Sequence, residues 1–431
     1  MFQIPCGFGT QAERWQVAGR GPDVNNPTVA PRPRTLGAEI TRLVVRVGRS
    51  LGRLQLTPTA LRESAERATG LVDLAPEEIA EPLELLCQDL AEFPPSESGV
   101  MAAWTQIVRD LTARLRVQRL DSKLQRPRRP PIVIVGWYRT GTTFLQNFLG
   151  GLPGYAYVPS WRLIEPISDR LGKARARAAV FTMQSITPEM KVLHPVSVMG
   201  PQECWLLLAQ HMIVDGYAFH WHIPRYEKWL TTVDRQAAYN CWARNLASFE
   251  SQMDSALVLK DPCHMLALRE IIAAVPDARV IWTHRDPVEA IGSFGSLATV
   301  QHRMIYDRYD PERAGQRCMS QIRRYLDEGM AARDAIPEGQ LVDVPHTALR
   351  KDAVGTAEQL CAMLDLPFDG DALRKRETEI KAEKKNQPRH YYELSQWGLT
   401  REGIESALSD YELPTEVGRH PYGDQALTRA G

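Results

Sequence analysis

PIVIVGWYRTGTTFLQNFLG, residues 131–150, opens with an all-apolar, β-branched run, breaks at Gly136, crosses a short polar loop to Gly141 and resumes as an apolar-rich segment. The run reads as a strand buried on both faces of a parallel sheet, because alternation is expected only where one face meets water. The loop then opens a helix. A glycine-bounded loop at that place aims backbone N–H groups and the positive end of a helix at a phosphate. Gly136 and Gly141 have the G-x-x-x-x-G spacing of a P-loop, but Thr142 stands where nucleoside triphosphatases carry Lys. A triphosphatase needs that Lys at the β- and γ-phosphates. Arg139, two residues before the second glycine, suits a ligand with one 5′-phosphate and a transferable group beyond it.

Downstream, ALVLK (256–260), ARVIWTH (278–284) and QLVDV (340–344) read as further buried strands, with a helical LALREIIAAV between the first two. Strands alternating with helices over this length predict an α/β fold, a P-loop-type parallel sheet flanked by helices, with ligands at the carboxyl ends of the strands. At one such end Asp286 and Glu289 have the spacing of a D-x-x-E capping box, and Pro287 suits the first helical position. Arg285 precedes that helix start and Ser293 lies along the helix. Together with the first loop they make a second anion site, as a nucleotide with phosphate on both ends of its ribose requires.

Upstream, residues 1–36 end in APRPRTLG and read as a loose tail. Residues 37–125 read as a helical extension: Thr57-Pro58 is an N-cap and first-turn pair, and Gly70 is placed to stop that helix. Leu83, Leu86, Cys87 and Leu90, then Trp104, Ile107, Val108, Leu111 and Leu115, recur at helical spacing. RPRRP (126–130) is an extended connector into a main domain over 126–431.

The composition, 431 residues at 44% hydrophobic and 24% charged, is that of a folded chain able to bury a large core. Lys plus Arg balance Asp plus Glu at 52 each, so no global field draws the chain to nucleic acid or an acidic membrane; an anion must be held locally. The 7 Cys form no C-x-x-C pair, which argues against a zinc site or disulfide framework and for the cytoplasm. The first residues carry no signal-peptide pattern, and no apolar window is long enough to span a membrane. His220 and His222, without a third ligand, read as a strand face rather than a metal site.

GWYRTGTTFL, LKDPCHMLALREIIAAVPDARV and THRDPVEAIGSF resemble three motifs of the sulfotransferases that use 3′-phosphoadenosine 5′-phosphosulfate (PAPS). These are the 5′-phosphosulfate loop, the Lys-bearing strand end and the 3′-phosphate motif. AERATGLVD, His194-Pro195 with PQEC, and HYYELSQWGLT extend the likeness over roughly 57–415, to bacterial P-loop sulfotransferases with an N-terminal helical extension. The resemblance implies that Arg139 replaces the loop Lys and that Gly136, Thr140, Gly141, Thr142 and Thr143 form the 5′-phosphate cradle. It further implies that Arg285 and Ser293 take the 3′-phosphate and Lys260 the transferring sulfuryl group, with no metal. Fixed cations suit such a transfer, which resembles phosphoryl transfer through a loose transition state.

Relatives often carry a Glu base after the aromatic residue that follows the first helix, but SWRLIEP places Arg162 there. His194 and Glu203 lead the candidates for general base, with His264 and Glu165 behind them. His346 stands where the family shows a Tyr against adenine, and Lys384, Lys385 and Arg389 are further candidates for the 3′-phosphate. Trp161, Trp205, Tyr217, Phe219, Trp221, Tyr226 and Trp229 are placed to form an apolar pocket for a small-molecule hydroxyl acceptor. The alternatives are a non-catalytic nucleotide-binding relative and a P-loop kinase.

Overall fold

The computed structural model describes residues 54–187, 189–306, 310–384 and 392–420. Five parallel strands, β1 (Ile132–Val135), β2 (Tyr155–Tyr157), β3 (Ala256–Lys260), β4 (Arg279–His284) and β5 (Leu341–Pro345), form one sheet in the order β2-β3-β1-β4-β5. The longer helices are α1 (Pro58–Thr69), α2 (Glu77–Glu92), α3 (Glu97–Val117), α4 (Thr142–Leu149), α5 (Gly172–Ile186), α6 (Gln236–Met253), α7 (Pro287–Ile305), α8 (Pro311–Ala332), α9 (Ala353–Leu364) and α10 (Gly370–Lys384). The loose tail read at 1–36, the start of the extension and the chain beyond His420 lie outside the described residues.

The apolar runs are continuous because both sheet faces are covered. Val133, Val135, Leu257, Leu259, Val280 and Trp282 point to one side, into a core shared with α1, α2, α3, α6, α7 and α8. Ile132, Ile134, Val258, Ile281 and Val342 point to the other, against α4, α9 and α10. β2 escapes a reading for strands because it is three residues long, only partly buried and set between Pro153-Gly154 and Pro159.

Local signals act as the sequence implies at several helix ends. Thr57 accepts from the Ala60 amide at 3.4 Å, and Gly70 closes α1 with φ of 68°. Asp286 caps α7 through the Val288 amide at 2.8 Å. The second half of the expected capping box does not form: Glu289 turns to Arg285, at 2.8 Å and 3.0 Å, because the guanidinium competes for the carboxylate.

The helices before β1 pack on the sheet domain through its core and through charges. Arg114 on α3 is 9% exposed; it reaches Asp73 at 2.7 Å and the Ala75 carbonyl at 2.7 Å, and contacts the Gln210 carbonyl at 3.4 Å. Removing one partner of such a buried pair leaves the other charge without compensation. Arg114→Ala is expected to lower the unfolding free energy by about 3 kcal/mol; equilibrium urea unfolding checks this.

Candidate active site

Strand order sets the site. The loop leaves the carboxyl end of β1, and β3 and β4 flank β1 in register, with Lys260 beside Ile134 and Trp282 beside Val135. Lys260 and Arg285 therefore arrive on opposite sides of one loop, although far apart in sequence. β5, next to β4, brings His346 to the same edge.

The loop is held from inside. Gly136 has φ of 139°, and a methyl group there would sit 2.3 Å from Thr283 Oγ1. Thr140 is 2% exposed; its hydroxyl donates to the Trp137 carbonyl and pairs with Thr283, both at 2.7 Å. Gly136 and the Thr140 side chain thus brace the loop rather than face a ligand. Gly141, at φ of 94°, caps α4 without a side-chain hydrogen bond, so the first amides of the helix are left without that partner. An anion at a helix N-terminus is favoured by those amides and by the helix dipole.

Arg139 adopts a left-handed conformation, φ 68°, that a non-glycine residue rarely takes without a constraint. Its carbonyl accepts from Arg285 Nη1 at 2.8 Å, and its Nε donates to Ser293 Oγ at 2.9 Å. Burial first, then the neighbouring Arg285 charge, lowers the Arg139 pKa below the ordinary arginine value. Two guanidinium groups held together at a helix start are an electrostatic demand for an anion.

Lys260, 1% exposed, donates to Glu203 Oε1 at 2.7 Å. The neighbouring Asp261 does not take that role: its carboxylate instead accepts from the amides of Cys263, at 2.8 Å, and Trp205. Burial would raise the Glu203 pKa, but Lys260 and then His194 overcome it, and the carboxylate stays charged. Burial pushes the His194 imidazole down to about 4, against the pull of Glu203. His220 is lowered to about 4 by burial as well, with Glu203 and Gln301 opposing.

The phosphate loop and the Lys260–Glu203 pair border one cavity of about 1170 Å³, beyond the usual range of about 300–1,000 Å³ for a single small ligand. Arg139, Gly141, Thr142, Thr143, Arg285 and His346 line one end. Glu203, His194, His220 and Lys260 line it too, and an apolar lobe is walled by α3, α5 and α7 through residues such as Met101, Val180, Met183, Leu297 and Met304. Of the aromatics singled out in the sequence, Trp205, Phe219 and Trp221 line the cavity, whereas Tyr226 is fully buried.

Other residues singled out in the sequence are engaged by the protein itself or lie away from the cavity. His264 is 0% exposed, hydrogen-bonded through Nδ1 to Tyr239 at 2.9 Å, and pushed by burial down to about 3. Glu165 borders the cavity but is held by Arg116 at 2.6 Å and Arg175 at 2.8 Å. Arg162 points to Gln252. His220 and His222 do not share a strand face: His220 ends a short helix, Tyr217–His220, while His222 packs on Phe93 and meets Arg313. The sequence reads His220 only as half of a pair with His222, and that spacing points to a strand face rather than to this cavity. Lys384 closes α10, and Lys385 and Arg389 lie outside the described residues.

Comparison with known proteins adds the family. The model of the Sulfotransferase family matches residues 130–370, which includes the phosphate loop, Lys260 and the Arg285–Ser293 segment. The chain belongs to this family. Among solved structures it is similar to sulfotransferase STF1 from Mycobacterium tuberculosis, at 26% identity and a TM-score of 0.70, covering 83% of this chain and 100% of that one. Its fold is also that of sulfotransferase STF9 from Mycobacterium avium, at 22% identity and a TM-score of 0.70, covering 82% of this chain and 95% of that one. Curated proteins gave no match. Among the described residues of this sulfotransferase, no cluster of His, Cys, Asp and Glu has the makings of a metal site, and no helix is long and apolar enough to cross a membrane.

Gly136→Ala tests the bracing of the loop. The methyl group collides with Thr283 and the backbone must leave its positive φ, so thermal unfolding is expected several degrees below wild type, corresponding to about 2–3 kcal/mol. Nucleotide affinity should fall with it.

Proposed function

We propose that this sulfotransferase moves a sulfuryl group from PAPS to the hydroxyl of an apolar small-molecule acceptor. The observation that carries this reading is the continuity of the cavity. One cavity is lined by the two-cation phosphate loop, by the buried Lys260–Glu203 pair and by the apolar residues of α3, α5 and α7.

In this reading the amides of Thr142 and Thr143 at the start of α4, with Arg139, receive the 5′-phosphosulfate, and Arg285 with Ser293 receives the 3′-phosphate. Ser293 holds Arg139, and Arg285 holds Glu289, so each exchanges a protein partner for the more highly charged phosphate. Lys260 stands beside the sulfuryl group. The acceptor oxygen forms a bond to sulfur as the bond from sulfur to the bridging oxygen breaks, and the electron pair leaves on adenosine 3′,5′-bisphosphate. The acceptor proton passes to His194. Its imidazole is neutral at rest because it is buried among cations, and the charge it gains is stabilised by Glu203. The fixed cations need little reorganisation as charge moves to the leaving oxygen.

A screen of hydroxyl acceptors with PAPS, read as the mass gain of one sulfuryl group, tests the reading; no product with any acceptor from a folded protein that binds the nucleotide contradicts turnover. Arg139→Ala is expected to fold, because its side chain is held mainly by Ser293, and to lose transfer by about 10²-fold or more. His194→Ala should lose about 10²-fold in kcat with bisphosphate binding kept.

The pH profile gives an independent check. A base works deprotonated, so activity is lost as pH falls through its pKa. With His194 lowered to about 4, kcat/KM should hold across neutral pH and fall only near pH 4. An acid limb centred near 6.5 would place the base in a wetter setting.

A further inference from the structure

The inner side of α5 lines the apolar lobe through Ala179, Val180 and Met183. Its outer side is built differently. Ala174, Arg177 and Phe181 recur at helical spacing and are exposed, Phe181 at 72%; Arg170 and Leu171, in the turn just before the helix, are exposed too, Leu171 at 62%. The segment 170–186, RLGKARARAAVFTMQSI, has four cations and no carboxylate. Arg175 is turned inward to Glu165 and Asp169, but no carboxylate of the described residues pairs with Arg170 or Arg177.

An aromatic ring and unpaired guanidinium groups on one helix face are the chemistry of adsorption to an anionic bilayer: charge draws the helix to the headgroups and the ring enters the acyl boundary. The chain as a whole is neutral, 52 cations against 52 anions, so the attraction is local to this helix. The inner face of the same helix walls the cavity, so one helix separates the outer stripe from the apolar lobe.

We propose that the outer face of α5, with Arg177 and Phe181, together with Arg170 in the turn before it, docks this sulfotransferase on an anionic lipid bilayer, from which a membrane-dissolved amphiphile presents its hydroxyl to the cavity. The choice of acceptor rests on the transfer reading above; the docking does not. A net-neutral protein with a bare basic and aromatic stripe beside an apolar chamber thereby gains access to acceptors too insoluble to arrive through water.

Co-sedimentation of the full chain with phosphatidylcholine vesicles, with and without phosphatidylglycerol, tests this without any turnover. Binding is expected only to the anionic vesicles and should weaken as salt rises. The Arg170→Ala/Arg177→Ala double variant should lose about twenty-five-fold in affinity at about fivefold per cation, and Phe181→Ser about tenfold. None of the three side chains lines the cavity, so melting temperature and transfer to a short, water-soluble acceptor should match wild type. No binding to anionic vesicles, or equal binding by wild type and the double variant, overturns the proposal. So does concentration-dependent dimerisation that Phe181→Ser abolishes, since the face would then serve a second copy. Vesicle binding without any transfer would sink the transfer reading and leave the docking standing.

Discussion

The parallel pairing of β1 between β3 and β4 is the constraint on which the site depends. In a parallel sheet every strand delivers its carboxyl end to the same edge, and here the central strand delivers a glycine-bounded loop. Its two neighbours then deliver Lys260 and Arg285, one on each side. A register slip of one residue on β3 would turn Lys260 from the cavity toward a core, since successive side chains face opposite sides. The burial of both sheet faces excludes such a slip, because Leu257 and Leu259 belong to one core and Val258 to the other.

Electrostatics follows from that placement. Arg139 and Arg285 are brought together, Arg285 with Glu289 as its carboxylate and Arg139 bonded to the neutral Ser293 hydroxyl, and the burial of Arg139 makes that proximity costly until an anion arrives. Lys260 is treated differently: at 1% exposure it needs a counter-charge, and Glu203 supplies it at 2.7 Å. Glu203 stays ionised with an oxygen engaged by Lys260, while His194 beside it is neutral and is the base in the proposed transfer. Assignments of acid–base role thus come from the surroundings of the groups rather than from their types.

Much of this was legible in the chain itself. The strand-loop-helix at 131–150, the buried strands ending in Lys260 and before Arg285, and the helical repeats of α2 and α3 carry local signals of period, turn chemistry and capping. The sulfotransferase family could be read from three motifs. What stayed hidden depends on tertiary contacts. Glu203 rather than Asp261 meets Lys260 because the Asp261 carboxylate caps the turn after β3. His264 stands in the sequence as a candidate base behind His194, but the packing of Tyr239 and Trp242 encloses it. Thr140 is a loop hydroxyl like Thr142, but it is spent on Thr283. The apolar lobe of the cavity is assembled from α3, α5 and α7, three segments whose individual sequences show only amphipathic or weakly patterned helices.

Titration calorimetry with adenosine 3′,5′-bisphosphate and 5′-AMP tests the central claim, that one strand edge assembles two anion sites for a single nucleotide, most directly. Wild type should bind the bisphosphate well above the monophosphate. Arg285→Ala should cost the bisphosphate about ten- to a hundredfold, at about 1.5–3 kcal/mol for a hydrogen bond to a charged group, and leave 5′-AMP almost unchanged. Equal weakening of both ligands would contradict the account, because Arg285 would then support the loop through the Arg139 carbonyl and not hold a second phosphate.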